Sequence, residues 1–593
     1  CSEKEQDIVM TPSKKGKATH IKIERKKKLN LDESSVVHEG AGQNKGLVIN
    51  KQEHADTDDL SKPQLQLGFM CFLVDGKTGT HFVESRRLKF WYAEGTDYYN
   101  QVSTAYDFFK ELVRPENFPK DYVGFIKKCM KQMQGDKYQL ATKVDLEIMK
   151  LDDKDAPQSP ACKLIEGMRI CDILILLFSG FNKEDLRPQT EIVREKLLHI
   201  LESAYPNNLA VEDLIRITAS DEHIVTAQLE ELKTRELVRT LENGGVVRQV
   251  LDEKTGKTEV EVVKNMPMMA TSDQPTIAII TALYCEKLAV DSMMENKRTY
   301  VKYKTEGESN VYTLGYIGGH KIVSTKLPAI GHVRAAQISS GNSTTRLLGG
   351  FQNIEHVFIV GVAGGVPHYT DYYKHVRLGD VILSRQDDRG YLYYYCDKIL
   401  KNKQGDVHYN LKTWAPRDLE LQKISEKIEE AQRSNPNLAS WERYMLEGEQ
   451  VLQGQETNFE RPPDNTDRLY MDLGEDQVIE VQHPFPPEGA VVREGMPRLH
   501  YGVFGAGSRI VRSDATRLDF ASRYSISAFD TEFDQVLESI VGNRKDSFMI
   551  IRGVADYSDG SKNKKWQSYA ALAAATVTKT VIKSIDFILN QSD

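Results

Sequence analysis

At 593 residues the chain is too long for one hydrophobic core, and at roughly 100 to 200 residues per domain it should hold three or four units. Its 78 Lys plus Arg against 86 Asp plus Glu give a net charge of -8, which excludes a protein built globally to hold nucleic acid or an anionic membrane and points to a small substrate. The cysteines Cys1, Cys71, Cys129, Cys162, Cys171, Cys285 and Cys396 are scattered with no C-x-x-C pair, which fits reduced thiols in the cytoplasm or nucleus.

Residues 1–62 are polar, with basic clusters at Lys14-Lys15 and Arg25-Lys26-Lys27-Lys28, and are expected to be a solvated tail. The chain opens on Cys1 rather than Met, so targeting is left open. Residues 63–185 read as an α+β domain without recognisable chemistry: Phe69 to Val74 as a strand, Asp75-Gly76 as a turn, Tyr98 to Val113 and Tyr122 to Met133 as helices. The apolar run Ile170–Phe181 falls well short of the ~20 residues that span a bilayer, so it is read as buried strand or helix and no membrane is expected.

Residues 186–250 carry three helical patterns, Ile192 to Leu201, Val211 to Ile217 and Glu222 to Leu237, followed by short strands around Asn243-Gly244-Gly245. The order resembles a winged helix. Residues 187–250 hold eight Lys or Arg against eleven Asp or Glu, and the third helix begins Asp221-Glu222 and contains Glu230-Glu231, the wrong sign to face phosphates. The expected partner there is a protein rather than duplex DNA. Residues 251–274 read as a linker or the wing's last hairpin, with Asp252 to Lys257 as a tight turn and Met266-Pro267 closing it.

From 275 to 593 near-continuous apolar strands (Thr276 to Ile280, Val357 to Val360, Val381 to Ser384, Ser547 to Ile551) alternate with helices, and a closing helix runs from about Trp566 to Leu589. This predicts an α/β fold with helices on both faces of the sheet, where small ligands bind beyond the carboxyl ends of strands. Glu286, Glu532 and Asp556 fall at such ends, and Val360-Gly-Val-Ala-Gly-Gly-Val-Pro367 supplies a turn that lets backbone approach a ligand closely. Singly, each such carboxylate is more often a cap or a surface charge.

Taken in order, Ala278 to Glu286, Tyr312 to Gly318, Val360 to Pro367, Arg377-Leu-Gly-Asp-Val381, Phe459-Glu-Arg-Pro-Pro463, Leu499 to Val503, Gly505 to Ser508, and Ile551 to Asp559 through Asn563 to Ala571 resemble the nucleoside phosphorylase and nucleosidase family. That family includes the bacterial methylthioadenosine/S-adenosylhomocysteine nucleosidases; the likeness is strongest to the phosphorylase-like domains of immune-receptor-type and bacterial defence proteins. It implies a phosphorylase/hydrolase-like mixed twisted sheet, preceded by the winged helix and the α+β domain. It also implies N-glycosyl cleavage of a purine nucleoside or nucleotide, no cofactor, no metal, and a homo-oligomer.

By resemblance, Asp556 is the acid at the purine N7, Glu286 activates water, Glu532 beside Thr531 holds the ribose hydroxyls, and Ile510, Val511, Gly364 and Gly365 line the base. Phosphorylases of the family use an arginine in the first strand-end loop and a serine in the glycine turn; here Thr281 to Glu286 has no arginine and the serine position is Val362, which favours water as nucleophile over phosphate. Some immune-type relatives hydrolyse ATP, and Arg461, Arg468, Lys564 and Lys565 are the candidates for a phosphate tail, against an equal expectation of solvated surface charge. Two departures stand out: Asp530-Thr-Glu-Phe-Asp534 puts bulk and charge where the family keeps small residues, and Ile510 replaces a stacking aromatic. Those departures leave two other readings open, a non-catalytic nucleotide-binding scaffold and a winged-helix adaptor with a vestigial enzyme domain.

Overall fold

The computed structural model describes residues 6–15, 17–27, 36–51, 62–74, 81–114, 122–151, 188–249, 259–263, 269–303, 309–328, 334–401, 407–435, 440–472, 478–507, 510, 514–530, 533–557 and 564–585. They gather into two compact units, one from Cys1–Leu164, Pro367–Val376 and Asp464–Val492, the other from Ile165–Val366, Arg377–Pro463 and Arg493–Asp593. The turn expected at Asp75-Gly76, the apolar run at 170–181, the turn at 252–257 and Met266-Pro267 lie outside the described residues.

The first unit is a nine-stranded sheet. Its strands are β1 (Gln6–Lys15), β2 (Ala18–Lys27), β3 (Val36–Glu39), β4 (Leu47–Asn50), β5 (Leu65–Val74), β6 (His81–Tyr92), β7 (Ala141–Lys150), β19 (Leu469–Asp472) and β20 (Val478–Val481), in the order β19-β20-β5-β6-β7-β2-β1-β4-β3. The segment expected as a solvated tail therefore supplies four strands. Period-two alternation explains it: Ile21 and Ile23 point into the core while Lys22, Glu24 and Lys26 face out, so a charged composition conceals a half-buried strand. The outward face is a cross-strand charge ladder, with His20 Nδ1 3.4 Å from Asp145 and Lys89 Nζ 2.7 Å from Glu147.

Helices α1 (Tyr98–Leu112) and α2 (Tyr122–Gln134) cover the other face. The Asp97 side chain accepts the Asn100 N–H at 2.9 Å to start α1, and Val102, Ala105, Phe108, Phe109 and Leu112 form its buried stripe. Phe69 on β5 meets Phe109 and Phe125 at 5.4 and 6.2 Å. Two segments from the second half of the chain complete this unit. They are tied by His375 Nε2 at 2.9 Å from His483 Nδ1; because His375 Nδ1 accepts the His368 N–H, the proton of that imidazole sits on Nε2.

The second unit opens with α3 (Gln189–Ala204), α4 (Val211–Thr218), α5 (Glu222–Thr234) and a wing of β8 (Val238–Thr240) and β9 (Val246–Arg248), packed around Val193, Leu197, Leu201, Leu214, Val225 and Leu229. The expected linker then contributes an edge strand, β10 (Glu259–Val262), parallel to β12 (Glu295–Lys302). The main sheet continues with β11 (Ile277–Thr281), β13 (Asn310–Ile317), β14 (His320–Lys326), β15 (His356–Gly365), β16 (Val381–Ser384), β17 (Tyr393–Lys401), β18 (Val407–Trp414), β21 (Leu499–Ala506) and β23 (Ser547–Asp556). Their order is β10-β12-β13-β14-β11-β15-β23-β16-β21-β17-β18, with β22 (Ile526–Phe529) pairing β15 and β21.

Every residue of β11, β15 and β23 except Val362 and Asp556 is buried, as expected of strands covered on both faces. Helices α6 (Tyr284–Ser292), α7 (Arg334–Gly350), α8 (Glu420–Ser434), α9 (Ser440–Leu452), α10 (Asp514–Tyr524), α11 (Asp534–Gly542) and α12 (Lys564–Lys583) supply the cover. Alanine-rich α12 lies so close to β23 that a Cβ at Gly553 would stand 2.0 Å from the Ala570 carbonyl oxygen. Among the described residues no helix is long and apolar enough to cross a membrane.

Candidate active site

The parallel neighbours β11, β15 and β23 end side by side, and their carboxyl ends bring two of the three expected carboxylates to one edge of the sheet. Glu286 sits in the first turn of α6, immediately after β11, and is buried. Its Oε2 accepts the Ala282 and Leu283 N–H groups at 2.7 and 2.8 Å, and its Oε1 accepts the Val362 N–H at 2.8 Å. Three of the four lone-pair positions are thus taken by backbone, which fixes the carboxylate and leaves one direction on Oε1. Asp556 ends β23 opposite Gly364, and Gly364 and Gly365 pair in turn with Phe529 and Ala528 of β22.

An arginine with no counterpart among the expected site residues completes the arrangement. Arg552 lies inside β23, fully buried; its Nε is 2.7 Å from Asp530 Oδ2 and its guanidinium carbon 4.4 Å from the centre of the Phe533 ring. Its Nη1 and Nη2 are buried and have no hydrogen-bond partner among the described residues. A Cβ at Gly361 would stand 2.3 Å from Glu286 Oε1 and 2.6 Å from Arg552 Nη1. The missing Cβ therefore lets both charged groups close over the Gly361 backbone, which puts Oε1 and Nη1 no more than about 5 Å apart, within reach of one bridging water. An uncompensated donor inside a core costs about 1–3 kcal/mol, more when charged, so both nitrogens call for polar partners beyond the described side chains.

Phe533 and Asp534, which read as obstructive bulk and charge, have definite places. The Phe533 ring lies against the Arg552 guanidinium, and Asp534 opens α11 with Oδ2 3.5 Å from Lys412. Ile510 is fully buried in a cluster with Tyr394, Val503, Phe520 and Phe529, so it serves packing in this structure. Thr531, Glu532 and Val511 lie outside the described residues, as does the side chain of Lys564, whose backbone opens α12.

Of the other phosphate-tail candidates, Arg461 stacks 5.2 Å from the buried Trp566 ring at the start of α12, and Lys565 is exposed beside it in sequence. Arg468 belongs to the first unit, where its Nε donates to the Asn465 carbonyl and its Nη1 is 3.8 Å from Glu480. A cavity of about 560 Å³ lined by Arg298, Tyr300, Tyr316 and Lys321 opens at the amino-terminal end of β11 and β14, away from Glu286.

Burial and charge also shape the surroundings of Glu286. Lys326, at the end of β14, is pushed down to about 8 by burial, against the opposing pull of Glu286, Cys285 and Glu202. The Cys285 thiol is pushed far up by burial and by Glu286, so it stays a neutral thiol.

Among solved structures, the 5'-methylthioadenosine/S-adenosylhomocysteine nucleosidase of Neisseria meningitidis is similar over 52% of this chain and 99% of its own, at 16% identity and a TM-score of 0.31. The futalosine hydrolase of Helicobacter pylori is similar over 54% of this chain and 99% of its own, at 14% identity and a TM-score of 0.32. A nucleotide-binding leucine-rich repeat (NLR)-like protein of Hyaloscypha variabilis is 24% identical over 310 residues, which are 52% of this chain and 29% of that relative, so the chain spans under a third of its length. Residues 183–250 match the family model of the winged helix-turn-helix domain, the identity that α3, α4, α5 and the β8–β9 wing give this segment.

Proposed function

We propose that the carboxyl-terminal half hydrolyses the N-glycosidic bond of a purine nucleoside or nucleotide, with adenine compounds, ATP included, as the first substrates to test. The observation that carries this reading is the buried Glu286 and Arg552 pair across Gly361, at the strand edge where Asp556 also stands. Breaking the bond from C1′ to N9 sends the bonding electrons into the base and leaves positive charge on the ribose. A water held between Glu286 Oε1 and an Arg552 Nη directs an oxygen lone pair at C1′ and gives a proton to Glu286 as the new C–O bond forms. Asp556 supplies a proton to N7, so the base leaves neutral; protons then return through solvent. A positioned base or acid of this kind is worth about 10²- to 10⁴-fold.

Arg552 also bears on hydrolysis against phosphorolysis, because a buried guanidinium whose Nη1 and Nη2 have no partner among the described residues suits phosphate. Here a carboxylate shares its space. Glu286 repels an added phosphate dianion and offsets the attraction of the guanidinium, whereas water carries no charge to oppose, which favours water. Val362 at the serine position and the lack of an arginine in the Thr281–Glu286 loop point the same way.

Chromatographic detection of free base from ATP, AMP, adenosine, inosine and methylthioadenosine, with and without phosphate, tests the reading. Base release without phosphate, abolished in Asp556→Asn while nucleotide binding persists, is the expected result. Unchanged turnover in that variant sinks the assignment, and ribose 1-phosphate formed only with phosphate makes the protein a phosphorylase. At the winged helix the exposed residues of α5 are Glu222, His223, Thr226, Ala227, Glu230 and Thr234, and its one lysine, the part-exposed Lys233, is paired with Glu230 at 2.7 Å; this supports a protein partner over DNA. Self-association, implied by the family resemblance, is read directly by light scattering.

A further inference from the structure

We propose that the winged helix is a wall of the active site, with Tyr205, Arg248 and Lys326 acting as positioning residues that hold the Thr281–Glu286 loop. What Glu286 does chemically rests on the nucleosidase reading; what holds it rests on geometry alone.

The last carbonyls of a helix have no partner within it and carry partial negative charge. Those at the end of α3 meet Lys326, whose buried Nζ donates to the Ser203, Tyr205 and Leu327 carbonyl oxygens at 3.1, 2.8 and 3.1 Å. The same strand end is stitched to the start of the loop: the Leu327 N–H donates to the Thr281 carbonyl at 2.8 Å, and Thr281 Oγ1 donates to the Thr325 carbonyl at 2.9 Å. One lysine thus ties the end of α3 to the hinge of the loop that carries Glu286.

A second tie grips the loop itself. Tyr284, two residues before Glu286, is met edge-on by the buried Tyr205 ring at 5.5 Å, and the Arg248 guanidinium lies 5.1 Å from its centre. Arg248 is fixed in turn by Nη1 donating to the Leu237 and Gln249 carbonyls at 2.7 and 2.8 Å and by Nε donating to Glu202 at 3.2 Å. Burying Lys326, Arg248 and Glu202 is costly unless each is fully partnered. A mere tether between domains needs no such contacts, whereas a loop whose carboxylate must be placed to a fraction of an ångström does.

The test compares full-length Tyr205→Leu, Tyr205→Phe and Lys326→Met by hydrogen exchange and by steady-state base release. The Leu and Met variants should speed exchange of the Ala282 and Leu283 amides, which Glu286 holds, by about tenfold or more, and lower kcat by about tenfold with KM within about twofold. Tyr205→Phe should behave as wild type, since the Tyr205 hydroxyl has no partner among the described residues. Peptides from α3 report whether the winged helix itself stays folded. Unchanged exchange at residues 282–283 overturns the proposal, whether the winged helix remains protected or melts. If wild-type protein releases no base, the nucleosidase reading fails while the exchange result still decides the positioning role.

Discussion

Arg552 shows how a single residue changes the reading of the site. A guanidinium inside a strand of apolar neighbours interrupts the pattern, and that interruption was its signal: a buried charge without a full set of partners is rare outside functional sites. Asp530 and Phe533 hold its Nε and its face, and its Nη1 lies with Glu286 Oε1 over the Gly361 backbone. Arg552→Met should therefore lower kcat by about 10²- to 10³-fold, the scale for losing one preorganised donor. Arg552→Lys should recover little, because a single ammonium cannot replace a planar fork held at Nε. Gly361→Ala should be at least as damaging, since its Cβ would collide with Glu286 Oε1 and Arg552 Nη1 and displace them; a Gly361→Ala protein with wild-type kcat would show that their placement is not used. Glu286 and Asp556 were legible from the sequence as strand-end carboxylates. The Arg552 contact with Phe533 was not, because the cation and the ring that covers it lie apart in the chain and meet only through β22 and β23.

At the level of elements, the long insertion between β16 and β21 poses a closure problem, and Asp380 solves it. Its Oδ2 accepts from the Arg377 N–H and His500 Nε2 at 2.9 Å, and from Arg498 Nη2 at 3.3 Å; its Oδ1 accepts the Arg498 N–H at 2.9 Å. One carboxylate thereby joins the starts of two paired strands whose intervening chain leaves and returns. Burial alone would raise its pKa, but Arg498, His500 and the backbone donors outweigh burial and hold the carboxyl well below the usual carboxylate range. A carboxyl lowered in the fold contributes stability that is present above its unfolded pKa of about 4 and is lost as pH falls through the folded value. Asp380→Asn should cost about 3 kcal/mol near neutral pH, where a buried charge network is broken, and should flatten the acid limb of stability below about pH 4. Urea unfolding of both proteins between pH 2 and 7 measures this; parallel acid limbs would assign the acid sensitivity to other groups. Arg377-Leu-Gly-Asp-Val381 and Leu499 to Val503 were both visible as family-like segments, yet the bond between them was not, since nothing local in either sets the register.

For the molecule as a whole, composition misled where periodicity did not. The charges of residues 1–62 dominate any average and suggest a tail, whereas the alternation His20-Ile21-Lys22-Ile23-Glu24 describes a strand with one wet face. The strand β2 is interior, between β7 and β1, and Ile8, Val9, Ile21 and Ile23 are buried to 1% exposure or less. Burial of four such side chains is worth about 1.5–3 kcal/mol each, together comparable to the roughly 5–15 kcal/mol net stability of an ordinary domain. By contrast β19 and β20 end the sheet, where a lost strand exposes one new edge and leaves the helix-covered core intact. Deleting residues 1–27 should therefore abolish the calorimetric transition of the first unit while the second unit, with its own separate sheet, still melts cooperatively and keeps Glu286 and Arg552 in place. Replacing residues 464–492 by a short linker should lower the first transition without removing it. Retention of both transitions in the shortened chain would mean that β7 can close the sheet without the hairpin; loss of both would mean that the units fold as one, so that damage to the amino-terminal sheet reaches the candidate active site.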